Sequence, residues 1–151
     1  MNFVRHEPKN LKKTIRFTKS LHPTITRGIT LGLNETGNKM VKHTRQKMSS
    51  GPFTGKTYRI RGRLHRASAG GEYPHTITGK LSRSINKKTF GASRLEFGST
   101  VDYAKFLEDG TSKMQARNFL LQTAKAFDKQ IEVDIIKRVN IEIRKQGIKI
   151  K

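Results

Sequence analysis

The stretch that most constrains this chain runs from Val101 to Leu120, VDYAKFLEDGTSKMQARNFL. It predicts a short helix, a glycine turn and the opening of a long helix. Tyr103, Phe106 and Leu107 stand at i, i+3 and i+4, which places them on one helical face. Asp102 sits where an N-cap or a first-turn anion belongs. Gly110 can take the left-handed conformation that closes a helix, and Thr111-Ser112 carries the turn on. From Ala116 to about Gln146, Phe119, Ala124, Phe127, Ile131, Ile135, Val139 and Ile143 recur at helical spacing, with Gly147 as terminator. The joint between the two helices is expected to pack through Tyr103, Phe106, Leu107, Phe119 and Leu120.

Upstream, residues 1 to 12 are polar and basic and read as a mobile arm. Lys13 to Lys19 alternates, so Ile15 and Phe17 would share one face of a short strand. Pro23 is expected to stop it, and Thr24 or Thr26 to cap a helix running to about Ser49. Ile25, Ile29, Leu33, Met40, Val41 and Met48 recur at helical spacing. Gly28, Gly32 and Gly37 each weaken such a helix by ~1 kcal/mol relative to Ala. They mark either close approach to another element or a break near Asn34–Gly37. Arg27, Lys39, Lys42, Arg45 and Lys47 make its outer face basic.

Residues 50 to 76 form an extended loop region rich in Gly, Ser, Pro and bases. Within it, residues 57–61 and 63–66 alternate about Gly62, as a basic hairpin or a long flexible loop. Residues 67 to 74 read as a flexible connector. Thr76 or Thr78 would cap a short helix through Leu81, Ser84 and Ile85. Residues 85–90 and 93–98 then read as two strands about Gly91-Ala92, with Leu95 and Phe97 inward and Arg94 and Glu96 outward. Residues 147–151 form a tail, as a last edge strand or disordered. The whole reads as one α+β domain: a small antiparallel sheet against long N-terminal and C-terminal helices, with a long basic loop or hairpin.

Only 33% of the 151 residues are hydrophobic and none is Trp, so the core is expected to be small and some apolar surface to be completed by partners. Thirty-two Lys and Arg against 11 Asp and Glu give a formal charge of +21, which calls for an anionic counterpart. There is no cysteine, hence no disulfide framework or thiolate metal site. No apolar run approaches the ~20 residues of a membrane helix, so no membrane partner is expected. Met1 to His6 lacks the apolar centre of a secretion signal. The chain is therefore expected to be made and kept in the cytoplasm of a cell until it is built into something.

Sites for chemistry are not expected, and neither is a cofactor. Gly55-Lys56-Thr57 resembles the end of a phosphate-binding loop, but Gly51 and Gly55 enclose three residues where that loop needs four. The histidines are scattered, and Glu72, Glu96, Asp102, Glu108 and Asp109 show no spacing that groups them around a metal. Glu108 is expected to accept backbone N–H bonds or to pair with a base. Arg59, Arg61, Arg63 and Arg66, beside Tyr58 and His65, are read in two ways. They grip phosphates, or they keep an edge hairpin from aggregating.

The order of residues carries more than their periodicity. Tyr103-Ala104-Lys105-Phe106-Leu107-Glu108-Asp109-Gly110-Thr111, then Lys113-Met114 and Ala116-Arg117-Asn118-Phe119-Leu120, resembles a family of tailed-bacteriophage neck proteins. These are small head–tail joining or tail-completion proteins, often labelled minor tail components. Two upstream segments are similar to the family pattern in the same order: Gly71-Glu72-Tyr73-Pro74-His75, and Thr78-Gly79-Lys80-Leu81-Ser82-Arg83-Ser84-Ile85. Asn118 departs from it, since the family usually has Pro there. The resemblance spans about residues 22 to 127. It implies a structural virion protein that forms a ring of on the order of six copies, joins head to tail or completes the tail, and lets DNA pass through its lumen. Its implied partners are further copies of itself, the neighbouring head-completion or connector and tail-terminator or tail-tube proteins, and genome DNA held without sequence preference. Arg59, Arg61, Arg63 and Arg66, with Lys39, Lys42, Arg45 and Lys47, would face that DNA or an acidic neighbour. From other classes, the alternatives are a basic nucleic-acid-binding accessory protein and a small nuclease. Bases spread along the whole chain, with no groove-reading module, favour assembly.

Overall fold

A computed structural model describes residues 11–92 and 94–147. The chain is α+β, with long N- and C-terminal helices and two small antiparallel sheets. In order, the elements are α1 (Leu11–Ser50), β1 (Thr57–Ile60), β2 (Arg63–Arg66), α2 (Lys80–Ser84), β3 (Ile85–Phe90), β4 (Arg94–Ser99), α3 (Tyr103–Asp109) and α4 (Phe119–Lys145). The strands form two separate hairpins, β1–β2 and β3–β4, not one sheet.

The N-terminal helix departs most from expectation. Residues 13 to 19 are helical, and Pro23 lies inside α1 on its exposed side. An alternation of seven residues carries too little period to exclude a helix, and a single proline removes one hydrogen bond from a helix of 40 residues. Thr24 and Thr26 are interior positions, not caps. The Thr26 hydroxyl donates back to the His22 carbonyl at 2.9 Å. The helix does not break at Asn34–Gly37. The expected N-terminal arm falls outside the described residues except for Leu11 and Lys12, which are already helical; the expected C-terminal tail lies outside them beyond Gly147.

α1 and α4 run antiparallel: Thr24 meets Gln146, Arg27 meets Glu142, Thr36 meets Asp134 and Thr44 meets Thr123. The seam on α1 is a row with a spacing of four: Thr24, Gly28, Gly32, Thr36, Met40, Thr44 and Met48, all buried. Such i±4 rows are the ridges and grooves by which helices pack. Here the groove is cut by glycine. A Cβ on Gly28 would lie 2.6 Å from Val139 Cα, and one on Gly32 2.6 Å from Ile135 Cα. The glycines that weaken α1 in isolation therefore let the α4 backbone touch it.

Toward the C-terminal end of α1 lies the apolar knot: Met48, Ile85, Ala104 and Phe119, ringed by Val41, Tyr73, Leu81, Phe97, Val101, Leu107 and Leu120. It draws one residue or more from every helix. The β3–β4 hairpin, paired from Ile85↔Ser99 to Phe90↔Arg94, lays its inner face on α1. Leu95 and Phe97 are half-buried while Arg94 and Glu96 are exposed, as the alternation predicts. Thr89 and Lys87 on the partner strand both donate to Asn34 Oδ1, the former at 3.0 Å.

Candidate assembly and nucleic-acid interface

The helix–turn–helix joint folds back on itself. α3 ends at Gly110, whose φ of 79° and ψ of −176° are open essentially to glycine alone. This is an extended left-handed form, not the αL cap expected. A Cβ there would also lie 2.7 Å from the Ala116 nitrogen. Thr111 and Met114 close a tight turn by mutual backbone bonds of 2.8 and 3.2 Å. The returning strand is stitched to the end of α3: Arg117 N–H donates to the Leu107 carbonyl at 2.9 Å and Asn118 N–H to the Glu108 carbonyl at 3.2 Å.

α4 then starts without a cap of its own, because Asn118 makes no side-chain cap bond. The Glu108 carboxylate does that work from the previous helix. Its two oxygens accept the N–H groups of Leu120 and Leu121, each at 2.9 Å, satisfying two of the orphan donors of the first turn and placing an anion at the positive end of the helix. Asn118 adopts φ 49° and ψ 32°. Asn tolerates this αL conformation, and proline, locked near −65°, does not.

The joint buries a different face of α3 from the one expected. Ala104 is buried and Leu107 packs on the knot, with Phe119 at 0% exposure. Tyr103 and Phe106 turn outward, and Phe106 is 57% exposed. Asp102 takes the N-cap position of α3 but makes no side-chain cap bond. Upstream, Gly79 takes the left-handed conformation ahead of α2, and Thr78 makes only a 3.4 Å contact from Lys80 N–H. Leu81 is half-buried against the knot; Ile85 begins β3 instead of ending α2, and is fully buried.

The basic residues divide by their partners. Lys39 Nζ binds Asp134 at 2.7 Å and Glu35 at 3.5 Å. The Arg45 guanidinium donates to the carbonyls of Ser82, Arg83 and Ile85, at 3.0, 3.4 and 2.9 Å, and so caps the end of α2. These two serve the fold. Lys42 and Lys47 are exposed on α1. Arg59, Arg61, Arg63 and Arg66 are exposed on the β1–β2 hairpin, which is joined by a two-residue turn at Arg61 and Gly62, φ 47° and 78°. Two positive φ values make the tight turn whose twist suits a hairpin. The register pairs Tyr58 with His65, Arg59 with Leu64, and Ile60 with Arg63. Cross-strand partners share a face, so Arg63 stands with Tyr58, and Arg59 and Arg66 stand on the other face with Leu64. Leu64 is 70% exposed.

The hairpin base is fastened more firmly than a flexible connector would be. Gly55 N–H and Ala67 N–H bond across it at 2.9 Å. The Glu72 carboxylate takes the Thr54 hydroxyl at 2.5 Å and the N–H groups of Thr54 and Ala69, bonds that hold its pKa below the usual range. Phe53 stacks on His75 at 3.8 Å. Pro74 and Ser68 are buried, and Tyr73 donates to or accepts from Thr123 at 3.1 Å. A small-residue composition hid these anchors, because most are made by backbone, hydroxyl and carboxylate groups, with Phe53 and Pro74 the few apolar ones.

Among the described residues no three His, Asp or Glu side chains are grouped to hold a metal, and no helix is long and apolar enough to cross a membrane. The family model described as "Bacteriophage HK97-gp10, putative tail-component" matches residues 32–110, more than half of the chain. It spans the two hairpins and α3 and stops at Gly110, ahead of the Ala116–Leu120 part of the joint. No curated protein and no solved structure matches the chain. The molecule is of the phage structural class. It belongs to the HK97-gp10-like family of phage tail components.

Proposed function

We propose that the chain is a structural, non-catalytic virion protein of a tailed-phage neck, which assembles as a closed ring joining head to tail or completing the tail, with DNA passing through the lumen. The observation that carries this reading, beside the family, is the β1–β2 hairpin. It projects four exposed arginines together with uncovered Tyr58 and Leu64. Each face carries arginine beside an uncovered apolar group, a surface that suits an acidic neighbouring protein or phosphate. Contacts to moving genome DNA must not hold one sequence, so they go to the backbone. Like-charged copies at +21 each repel, so the free protein is a monomer or weak oligomer and the ring closes on a template, with head-to-tail contacts. Before incorporation the chain resides in the host cytoplasm.

The test is to image particles carrying a labelled copy and to sediment the free protein. A ring at the neck on the order of six copies, with a free protein that does not close, is the expected outcome. Particles that lack the protein, together with tight preference for one duplex sequence at physiological salt, would move the assignment to a nucleic-acid-binding accessory protein.

A further inference from the structure

The chain has 11 acids against 32 bases, and several of those acids are engaged within the fold. Glu35, Asp134 and Glu142 are paired in the α1–α4 seam, Glu96 pairs with Arg94, Glu72 fastens the hairpin base and Glu108 caps α4. Among the described residues Asp102, Asp109, Asp128 and Glu132 enter no ion pair. An open groove of about 820 Å³ runs between β4 and α4, walled by Leu95, Phe97, Leu121, Ala124 and Ile131, with Asp128 and Glu108 beside them. A cleft of about 580 Å³ adjoins it, shares Glu108 and Leu120, and carries Asp102 and Asp109. The bases here are Lys125 and Lys105, so acids outnumber bases in this one region of a strongly basic chain. Glu132 stands one turn beyond Asp128 on the same face of α4. Leu121 is 48% exposed at the groove, and uncovered apolar groups rimmed by charge mark interaction surfaces.

The β1–β2 hairpin presents the complement. Its register places Thr57, Arg59, Leu64 and Arg66 on one face. Leu64, 70% exposed, stands there with an arginine directly across and another two residues on. Ile60 is on the opposite face and lines a cavity against the body of the molecule, so the Leu64 face looks away from it. The connector behind the hairpin is bonded to α4: Gln122 donates to the Gly71 carbonyl, and the Tyr73 hydroxyl meets that of Thr123. Thr123 lies about 200° round the helix from Leu121. The root of the hairpin and the groove are therefore on different sides of α4, and a groove is met by the hairpin of another copy.

We infer that the groove between β4 and α4 receives the β1–β2 hairpin of a second copy of this chain. Leu64 seats among Leu95, Leu121 and Ala124, and Arg59 and Arg66 face Asp128, Glu132 and the acids of the adjoining cleft. Each copy gives one surface and takes with another, so the contact is heterologous and can repeat round a closed ring. The inference rests on the ring reading for that repetition and names the two surfaces that meet. Duplex phosphate is repelled by these acids and has no apolar group to offer the groove. Arg61 at the turn and Arg63 on the other face stay outside the contact. Between free copies of high like charge the pairing is weak, since the local attraction works against the repulsion of the whole.

The chain has no cysteine, so introduced cysteines report the contact cleanly. Full-length Leu64→Cys and Ala124→Cys, both at exposed positions, are mixed and oxidised with diamide. The mixed disulfide is expected to form about tenfold faster than either like pair, because the bond needs Cα atoms within ~7 Å. Arg59→Glu with Arg66→Glu on the Leu64→Cys copy should slow it several-fold. Asp128→Lys with Glu132→Lys on the Ala124→Cys copy should then restore it. Like pairs forming as fast as the mixed one, a charge reversal without effect, or no rescue by the second reversal would each overturn the inference. In particles whose copies carry both cysteines, a ladder of linked chains is expected. A neck ring that yields no ladder overturns the hairpin-in-groove contact and leaves the ring reading standing. Particles that lack the protein, while the mixed disulfide still forms and responds to charge, overturn the ring reading and leave the contact.

Discussion

The two ends of the α1–α4 pair are joined by different physics. At one end Met48, Ile85, Ala104 and Phe119 exclude water and little else specifies them. At the other, glycine, threonine and two buried acids make the seam. Asp134, 2% exposed, receives Lys39, Thr36 and Gln130, and Glu142 receives Lys145 and Arg27. Apolar burial is non-directional and gives the larger stabilisation. Polar pairs add less, yet they admit only one axial register of the helices, since a slip would bury unpaired charge. A chain with so small a hydrophobic fraction thus concentrates its apolar groups where α1, β3, α3 and α4 meet and lets small residues and hydrogen bonds carry the rest of the long seam.

Phe119→Ala attacks the first end and should have the largest effect. Its side chain is fully buried, so the loss is expected at ~3–5 kcal/mol, read as a lower midpoint in urea unfolding. A loss under ~1 kcal/mol would mean the knot is not the main core. Gly32→Ala attacks the second end. The added methyl meets the Ile135 backbone, which cannot swing aside as a side chain can, so ~1–3 kcal/mol is expected. If Gly32→Ala instead stabilises, by raising helix propensity, the close approach of the two backbones is wrong.

The knot and the joint were largely legible in sequence, and the seam was not. Phe119 and Leu107 stand out because aromatic and aliphatic groups repeat beside an obvious glycine turn. The inward face of α3 was missed because Ala104 is the α3 residue buried in the knot, and alanine adds little to an apolar pattern. On α1 the apolar spacing caught Leu33, Met40 and Met48 but also Ile25, which is exposed. In sequence Gly28 and Gly32 weaken the helix and mark either a close approach, which they make, or a break; Thr24 stands as a candidate cap, and Thr36 and Thr44 carry no reading singly. Their common spacing of four was the available signal. Asp134 and Glu142 gave none, since acids on a basic helix read as ordinary surface.

The buried acids make the seam, unlike the knot, respond to pH. Burial pushes Asp134 up, but the bonds from Lys39, Thr36 and Gln130 outweigh it and hold its pKa below the usual aspartate range. Glu142 is likewise lowered, chiefly by Lys145. With the folded pKa depressed, the unfolded chain binds more protons in acid. The contribution is complete above the ordinary carboxylate value of about 4 and fades as pH falls below it through the folded pKa. Asp134→Asn should cost about 1–2 kcal/mol at neutral pH, discounted because Lys39 is partly exposed. It should also flatten the acid limb of a stability-against-pH curve relative to the parent. An unchanged acid limb in the variant would remove Asp134 as a source of it.

The hairpin lies outside both ends, and its arginines should matter least to the fold. Arg59→Gln, Arg63→Gln and Arg66→Gln remove exposed charges, and Arg61→Asn keeps a residue that tolerates the positive φ of the turn. Together they should change stability by no more than ~0.5 kcal/mol. The same set should weaken duplex binding equally for all sequences and lower the slope of log affinity against log salt by about 0.9 for each phosphate no longer neutralised. Because Arg63 stands on one face of the hairpin and Arg59 and Arg66 on the other, one duplex cannot engage all four side chains as a flat stripe. Removing Arg59 and Arg66 should therefore move the slope separately from removing Arg63. A slope that stays fixed in every variant would assign the hairpin to a protein neighbour and leave exposed Lys42 and Lys47 on α1 as the groups that bind phosphate. A fall in stability above ~2 kcal/mol would instead show the hairpin to be part of the folded core, on the scale of truncating a core side chain.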